Sequence, residues 1–165
     1  MKTKTTLLLP LVLLVACEPK APVNTASDSA EEGDYKMAAD IPDYRANRAR
    51  RAAEDWLRII KSSAWATKSE WKTRDDLKGA TGAGTAAAAT VDYTEAKAAA
   101  SESWSESYKA ETEVKEAVAV PGFSGPDYLA ILGSFNKELR NAMLRDKAQF
   151  ERLAAMDLDE VIQRD

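Results

Sequence analysis

Apolar side chains after residue 40 recur at three- and four-residue spacing, which is the period of an α-helix. In the first such segment, from Asp40 to Gly79, the spacing joins Ala49, Ala52, Trp56, Ile59, Ile60 and Ser63. Thr67 to Glu70 fits a capping box, which predicts a bend or a new helix start at that point. Gly79 suits a left-handed residue at the end of the segment. We therefore predict one long first helix with an interruption near residue 67.

The second segment is rich in alanine and acidic residues and predicts a helix from about Ala86 to Ala119, because alanine has the highest helix propensity. Its few large apolar residues are Val91, Tyr93, Trp104, Tyr108, Val114 and Val118. A narrow stripe at four-residue spacing joins Ala96, Ala100, Trp104 and Tyr108. Such a face lets a neighbouring helix approach closely, but it buries little apolar area per residue.

The third segment follows a break at Pro121 to Pro126 and has the most regular apolar stripe in the chain. Its members are Leu132, Phe135, Leu139, Ala142 or Met143, Phe150, Leu153 and Met156. Asp146 falls within this stripe, and we expect it at the edge of the core or paired with a basic residue. A short last helix, from about Asp157 to Gln163, presents Leu158, Val161 and Ile162.

Period-two alternation, the mark of a half-buried β-strand, is absent from these segments. We therefore predict an all-α domain over residues 40–165, a three-helix antiparallel bundle of elongated shape. Large apolar residues are dense in the outer two helices and sparse in the middle one. Binding of a partner or self-association would add stability to such a bundle.

The N-terminus has a different pattern, in which two lysines precede a short apolar run from Leu7 to Val15. This run is too short for a membrane-spanning helix, which needs about 20 apolar residues. Positive charge, apolar run and the small residue Ala16 together predict a secretory signal peptide over residues 1–16.

The four residues Leu14, Val15, Ala16 and Cys17 resemble the lipobox of bacterial lipoproteins. The resemblance implies cleavage between Ala16 and Cys17 and a covalent lipid on Cys17, the single cysteine of the chain. It covers the signal alone; the rest of the chain resembles no family that we recognise. In Gram-negative bacteria an Asp after the cysteine retains such proteins in the inner membrane, whereas this chain has Glu18. We expect an outer-membrane anchor with the domain facing the periplasm.

Residues 17–39 predict a flexible, disordered tether between the lipid and the helical domain. Their Pro, Ala, Ser and acidic residues cannot bury enough apolar surface to offset the entropy of ordering. A flexible chain of this length has a root-mean-square span of roughly 25 Å. The tether therefore allows the domain to stand off from the membrane surface.

Charge and composition exclude several kinds of chemistry. The 165-residue chain has a formal net charge of −4 and no histidine, and its one cysteine is predicted to carry lipid. An acidic exported chain is a poor ligand for nucleic acid. Without histidine and free thiol, the commonest general base and the commonest metal ligands are missing. We predict no enzyme activity, no metal and no cofactor beyond the lipid on Cys17.

The densest basic cluster consists of Arg45, Arg48, Arg50 and Arg51. Arg45 and Arg48 share a helix face, and Arg51 extends it. One interpretation is contact with lipid headgroup phosphates or with an acidic partner. The other is a solvated face that pairs internally, with Arg51 bound to Glu54 or Asp55 and the first helix attracted to the acidic second one.

Tryptophan is frequent, with four residues in the chain. Trp56 and Trp104 fit the apolar stripes and are expected in the core. Trp65 and Trp71 fit less well, and we select them as candidate exposed contacts with a partner, because exposed tryptophans mark interfaces.

These patterns favour a non-catalytic, membrane-anchored helical module that binds an envelope protein, such as an assembly or pilot factor or an exclusion-type lipoprotein. A structural spacer that self-associates or binds peptidoglycan is the first alternative. A hydrolase that uses carboxylates alone is the second, and it requires a cleft that raises the pKa of an acid such as Asp146.

Overall fold

The computed structural model describes residues 42–164, and the all-α prediction is confirmed for this part of the chain, which contains helices and no strand. The predicted signal peptide, Cys17 and the tether lie outside the described residues. The helices are α1 (Pro42–Gly79), α2 (Ala83–Val118), α3 (Tyr128–Arg145), α4 (Lys147–Ala155) and α5 (Leu158–Arg164). The three-helix arrangement is not confirmed, because five helices are present here and the third apolar segment is divided.

α1 and α2 form an antiparallel hairpin that is the longest feature of the fold. At one end Arg45 donates a hydrogen bond to the carbonyl of Pro121, and further along Ser63 meets Ser103. α1 continues without a break through Thr67, whose hydroxyl donates to the carbonyl of Ser63 at 2.9 Å. The predicted start of a new helix near residue 67 is therefore wrong, because the threonine bonds back into its own helix and caps no new one.

α2 packs against α1 along a heptad of mainly small residues. The side chains at alternating three- and four-residue steps are Ala86, Ala89, Tyr93, Ala96, Ala100, Ser103, Ser107, Ala110, Val114 and Ala117, and none of them is exposed. Small side chains let the two backbones approach, and the hydroxyl of buried Ser63 donates to the carbonyl of Ser103 at 2.9 Å. The predicted four-residue stripe is wrong at its end, since Tyr108 is 66% exposed.

The turn between α1 and α2 is tight. α1 ends at Gly79 as predicted, but the residue with positive φ is Gly82, at 95°, directly before α2. A side chain at that φ would be strained, which explains a glycine three positions after the helix end.

α3 lies beside the hairpin and supplies much of the core. The Asp127 side chain accepts a hydrogen bond from the backbone N–H of Ala130 and caps the helix. The predicted apolar stripe is buried at Leu132, Phe135, Leu139, Ala142, Phe150 and Leu153. These side chains meet Trp56, Leu57 and Ile60 of α1 in one hydrophobic cluster.

Asp146 has a different role from the one expected. It ends α3 in an extended conformation and caps α4, and its carboxylate accepts the N–H of Gln149 at 3.1 Å. The polar residue in the apolar stripe therefore marks a change of helix direction. The spacing of Asp146 and Gln149 is that of a capping box.

α4 and α5 return along α1 and complete the core. Phe150 packs against Trp65, the Lys61 ammonium donates to the carbonyl of Met156, and Arg50 binds Asp159 at 2.8 Å. α5 also reaches α3, because one guanidinium nitrogen of Arg164 donates to both carboxylate oxygens of Glu138, each at 2.7 Å.

The molecule divides into two regions that we call the base and the arm. The base contains residues 42–68 of α1, residues 100–118 of α2 and the helices α3 to α5. The arm is residues 69–99, the far end of the hairpin. No residue from 65 to 99 is buried, whereas α3 to α5 cover the hairpin in the base. The 38 residues of α1 span about 57 Å, and the 18 residues of α3 span about 27 Å.

Candidate functional surfaces

The outward side of α1 carries a continuous exposed stripe. At alternating steps of four and three residues it contains Tyr44, Arg48, Arg51, Asp55, Arg58, Ser62 and Trp65, and every member is exposed. Because this spacing follows one face of an α-helix, the seven side chains lie in a row opposite the buried residues Ala49, Ala53 and Ile60. We call this row the outer stripe.

The side chains of Arg48 and Arg51 lie in the outer stripe. They form no hydrogen bond or ion pair with another residue between 42 and 164. The expected pairs of Arg51 are not formed, since Glu54 binds Arg50 at 2.9 Å and Asp55 binds Arg58 at 2.8 Å. Together with Tyr44 and Asn47, the two arginines line a shallow depression of about 270 Å³. The depression presents two guanidinium groups to solvent.

Arg45 lies on the flank of α1 toward α2 and not in the outer stripe. Its guanidinium donates to the carbonyl of Pro121 at 3.1 Å and thereby links the start of α1 to the loop after α2. The sequence pattern grouped Arg45 with Arg48. The structure gives Arg45 a contact within the fold, because residues three apart on a helix differ in direction by about 60°.

Trp65 ends the outer stripe where α4 begins to cover α1. Its ring packs edge-on against Phe150 at 4.9 Å between centroids, and 46% of the residue remains exposed. The Lys68 ammonium lies 4.7 Å from the Trp65 ring and 5.0 Å from that of Phe150. The contact holds the indole in place while its outer surface faces solvent.

Trp71 is half-buried and lies seven residues after Ala64, on the face of α1 that packs against α3 and α4 in the base. In the arm, the side chains on that face are at most partly buried. Trp65 and Trp71 therefore point in different directions, and the structure does not bring them into one patch.

Sequence reasoning missed a contact at the junction of base and arm. The Trp104 indole N–H donates to the Thr67 hydroxyl at 2.8 Å, and the Arg140 guanidinium lies 3.8 Å from the Trp104 ring. Trp104 was expected in the core and is only half-buried. The spacing placed it correctly on the hairpin seam, but the arginine comes from α3, which local periodicity does not reveal.

A cleft of about 350 Å³ separates α1 from the turn between α4 and α5. Burial lowers the pKa of Lys61, which lines the cleft. The hydrogen bond from Arg50 lowers the pKa of Asp159 at the same cleft, and the bonds of Arg50 to Asp159 and Glu54 raise its own pKa. Arg50 thus pairs with both Glu54 and Asp159 in this cleft, and its pair with Asp159 supports the packing of α5.

The described helices were compared with the metal and acid sites that the sequence left open. Between residues 42 and 164 no group of three carboxylate, histidine or cysteine side chains is placed to bind a metal ion. Asp146, the acid considered for catalysis, is exposed and caps α4. Within the same range, no helix combines the length and apolar character that crossing a bilayer requires.

Comparison with known proteins adds no family. No protein-family model matches the chain, and neither a curated protein nor a solved structure is significantly similar to it. Function must therefore be inferred from the residues of this chain alone.

Proposed function

We propose that this chain is a lipid-anchored bacterial envelope protein whose helical domain binds another envelope protein without catalysing a reaction. The N-terminal signal and lipobox support the anchor. The binding role is supported by the exposure of the arm. The arm is a two-helix extension without a buried residue, carried by a base that has its own core.

The arm offers apolar side chains that a partner could cover. Val91 is 56% exposed on the outer side of α2, and Trp71 and Leu77 are half-buried on α1. The core of the fold lies in the base, so the arm adds surface while contributing little to the core. This division is suited to a docking role, in which an assembly or pilot factor, or an exclusion-type lipoprotein, contacts its target.

The anchor is tested by replacing Cys17→Ser and following incorporation of a labelled fatty acid. We expect the native chain to carry the label and to fractionate with membranes, and the variant to lose both. A variant that remains labelled, or a native chain that takes no label, would remove the anchor from the proposal.

The proposed outer-membrane location is tested at the residue after the lipidated cysteine. The native chain with Glu18 should fractionate with the outer membrane, and Glu18→Asp should shift it toward the inner membrane. Glu18→Gln is the matched control and should leave the location unchanged. Recovery of the native chain with the inner membrane would contradict the location but not the anchor.

The partner is tested by photo-crosslinking in cells from Val91 on the arm, with Arg152 on the exposed side of α4 as the control position. We expect one stoichiometric protein adduct from Val91 and none from Arg152. The adduct should disappear when Cys17→Ser removes the protein from its membrane.

Crosslinks between copies of this chain, or to peptidoglycan alone, would favour the structural spacer instead. That alternative is supported by the small side chains along α2, which permit close helix contact. A carboxylate-only hydrolase has less support, because Asp146 is occupied in capping α4.

A further inference from the structure

We propose that the outer stripe of α1 binds the anionic phospholipid headgroups of the membrane to which the chain is anchored, so that α1 lies parallel to the bilayer. This proposal rests on the lipid anchor in the proposed function, because the anchor keeps the domain beside a membrane. It adds the orientation of the domain and the surface that sets it.

The charge of the outer stripe fits a phosphate surface. Three arginines lie in it with one carboxylate, Asp55, which already accepts a hydrogen bond from Arg58 at 2.8 Å. Arg48 and Arg51 have no such partner among residues 42–164, and they line the depression described above. Guanidinium groups bind phosphate oxygens in a bidentate manner, and arginines near an anionic bilayer favour binding additively.

Aromatic residues stand at both ends of the outer stripe. Tyr44 is 48% exposed and Trp65 is 46% exposed, and they are separated by about 32 Å along the helix axis. Tyrosine and tryptophan are enriched at the headgroup level of bilayers, where an apolar ring and a polar atom are both accommodated. Aromatic residues at both ends with arginines between them favour contact along the length of α1.

The position of the outer stripe in the chain favours a membrane over a more distant acidic protein. Cys17 precedes Pro42 by 25 positions, so the start of α1 stays within about 85 Å of the lipid even for a fully extended segment. A few arginines bind a bilayer weakly by themselves, but the anchor makes this binding intramolecular.

The test uses the full lipidated protein, incorporated in vesicles of phosphatidylcholine with or without about one-third phosphatidylglycerol. Lipidation blocks the Cys17 thiol, so a new cysteine can carry a fluorophore. Ser62→Cys places the label in the outer stripe near its Trp65 end, and Ser105→Cys places it on the exposed side of α2 as the control. Acrylamide quenching measures how far each label is shielded from water.

On phosphatidylglycerol vesicles, we expect acrylamide to quench the Ser62→Cys label at least about threefold less than on phosphatidylcholine alone. High salt should remove this protection. The label at residue 105 should show no difference. Arg48→Gln with Arg51→Gln should lower the ratio of docked to free domain about tenfold. The matched control, Arg145→Gln with Arg152→Gln, changes two exposed arginines that are not members of the stripe and should leave the ratio unchanged.

Equal quenching at residue 62 on both vesicle types would overturn the proposal, as would protection that survives the Arg48 and Arg51 substitutions. Protection found in intact envelopes but not on vesicles would also overturn it and would identify an acidic protein surface as the ligand. Failure of the anchor is separate, because an unlipidated chain would not float with vesicles and would lack the lipid mass on Cys17.

Discussion

The base and the arm contain the same two helices, yet they differ in what covers them. In the base, α3 to α5 bury Trp56, Leu57 and Ile60 of α1 beneath them. In the arm, no residue of the two helices is buried, and even Ala86, Ala89 and Leu77 remain partly exposed. Helix propensity and small residues between two helices are thus enough to extend a hairpin, whereas a core forms only where further helices bury its side chains.

The stability of the fold should therefore depend on the base far more than on the arm. A matched pair of leucines tests this expectation. Leu139→Ala removes a fully buried side chain from the base and should lower the free energy of unfolding by about 2–5 kcal/mol. Leu77→Ala in the arm removes a half-buried one and should cost about 1 kcal/mol. Urea unfolding measures both, and equal losses would contradict the division into base and arm.

Enlarging a small residue between α1 and α2 should destabilise the base but leave the stability of the arm unchanged or raised. Ala110 is 4% exposed in the base, so Ala110→Leu overpacks the hairpin and should destabilise it by about 1–3 kcal/mol. Ala89 is half-buried in the arm, where Leu can bury additional area, and Ala89→Leu should be within about 0.5 kcal/mol of neutral or stabilising. Thermal unfolding followed by circular dichroism compares them. A destabilising Ala89→Leu would show that the arm is packed as tightly as the base.

The junction between the regions depends on a hydrogen bond of moderate strength. Trp104→Phe removes the indole N–H that donates to Thr67 and should cost about 0.5–1.5 kcal/mol. A double-mutant cycle with Thr67→Val isolates the coupling, since Val keeps the shape of Thr but cannot accept the bond. A coupling energy near zero would mean that the contact of Arg140 with the Trp104 ring holds the junction instead.

The smallest effect concerns the ion pair that holds α5 to the start of α1. Arg50 lowers the pKa of Asp159, so the pair favours the folded state at pH above the ordinary carboxylate range and ceases to do so as pH falls through the lowered pKa. Asp159→Asn should therefore lower the midpoint of thermal unfolding slightly at pH 7 and by a smaller amount near pH 2. Both groups are exposed, so salt should also diminish the difference. A constant difference across this pH range would exclude the ion pair as its cause.

Local patterns were sufficient to predict much of the fold. Helical periodicity located the stripe from Leu132 to Leu153, and the short apolar group at Leu158 and Val161 is buried as a separate helix. The cap of α3 is also local, because the Asp127 carboxylate accepts the N–H of Ala130 three positions later. Each of these features depends on residues within a few positions of each other, which is the range over which sequence spacing is informative.

Spacing did not decide other positions, because two roles suited the same residue. Thr67 fitted a helix start and instead bonds back to Ser63, while Asp146 fitted a core edge and instead caps a new helix. In the basic cluster, the choice of Glu54 between Arg50 and Arg51 depends on which arginine also reaches Asp159, 109 positions away. Arg51 therefore has no ion-pair partner among residues 42–164, and this makes the outer stripe a candidate site.

Local spacing in the sequence predicts the helical segments and the length of α1 and α2, and the composition excludes histidine and a second cysteine. The sequence also contains the N-terminal signal on which the proposed anchor depends. The tertiary structure alone decided which end of the hairpin is covered, which arginines are paired and which tryptophan faces solvent. Helix formation depends on hydrogen bonds between residues four positions apart, whereas burial and ion pairing depend on helices that meet only after the chain has folded.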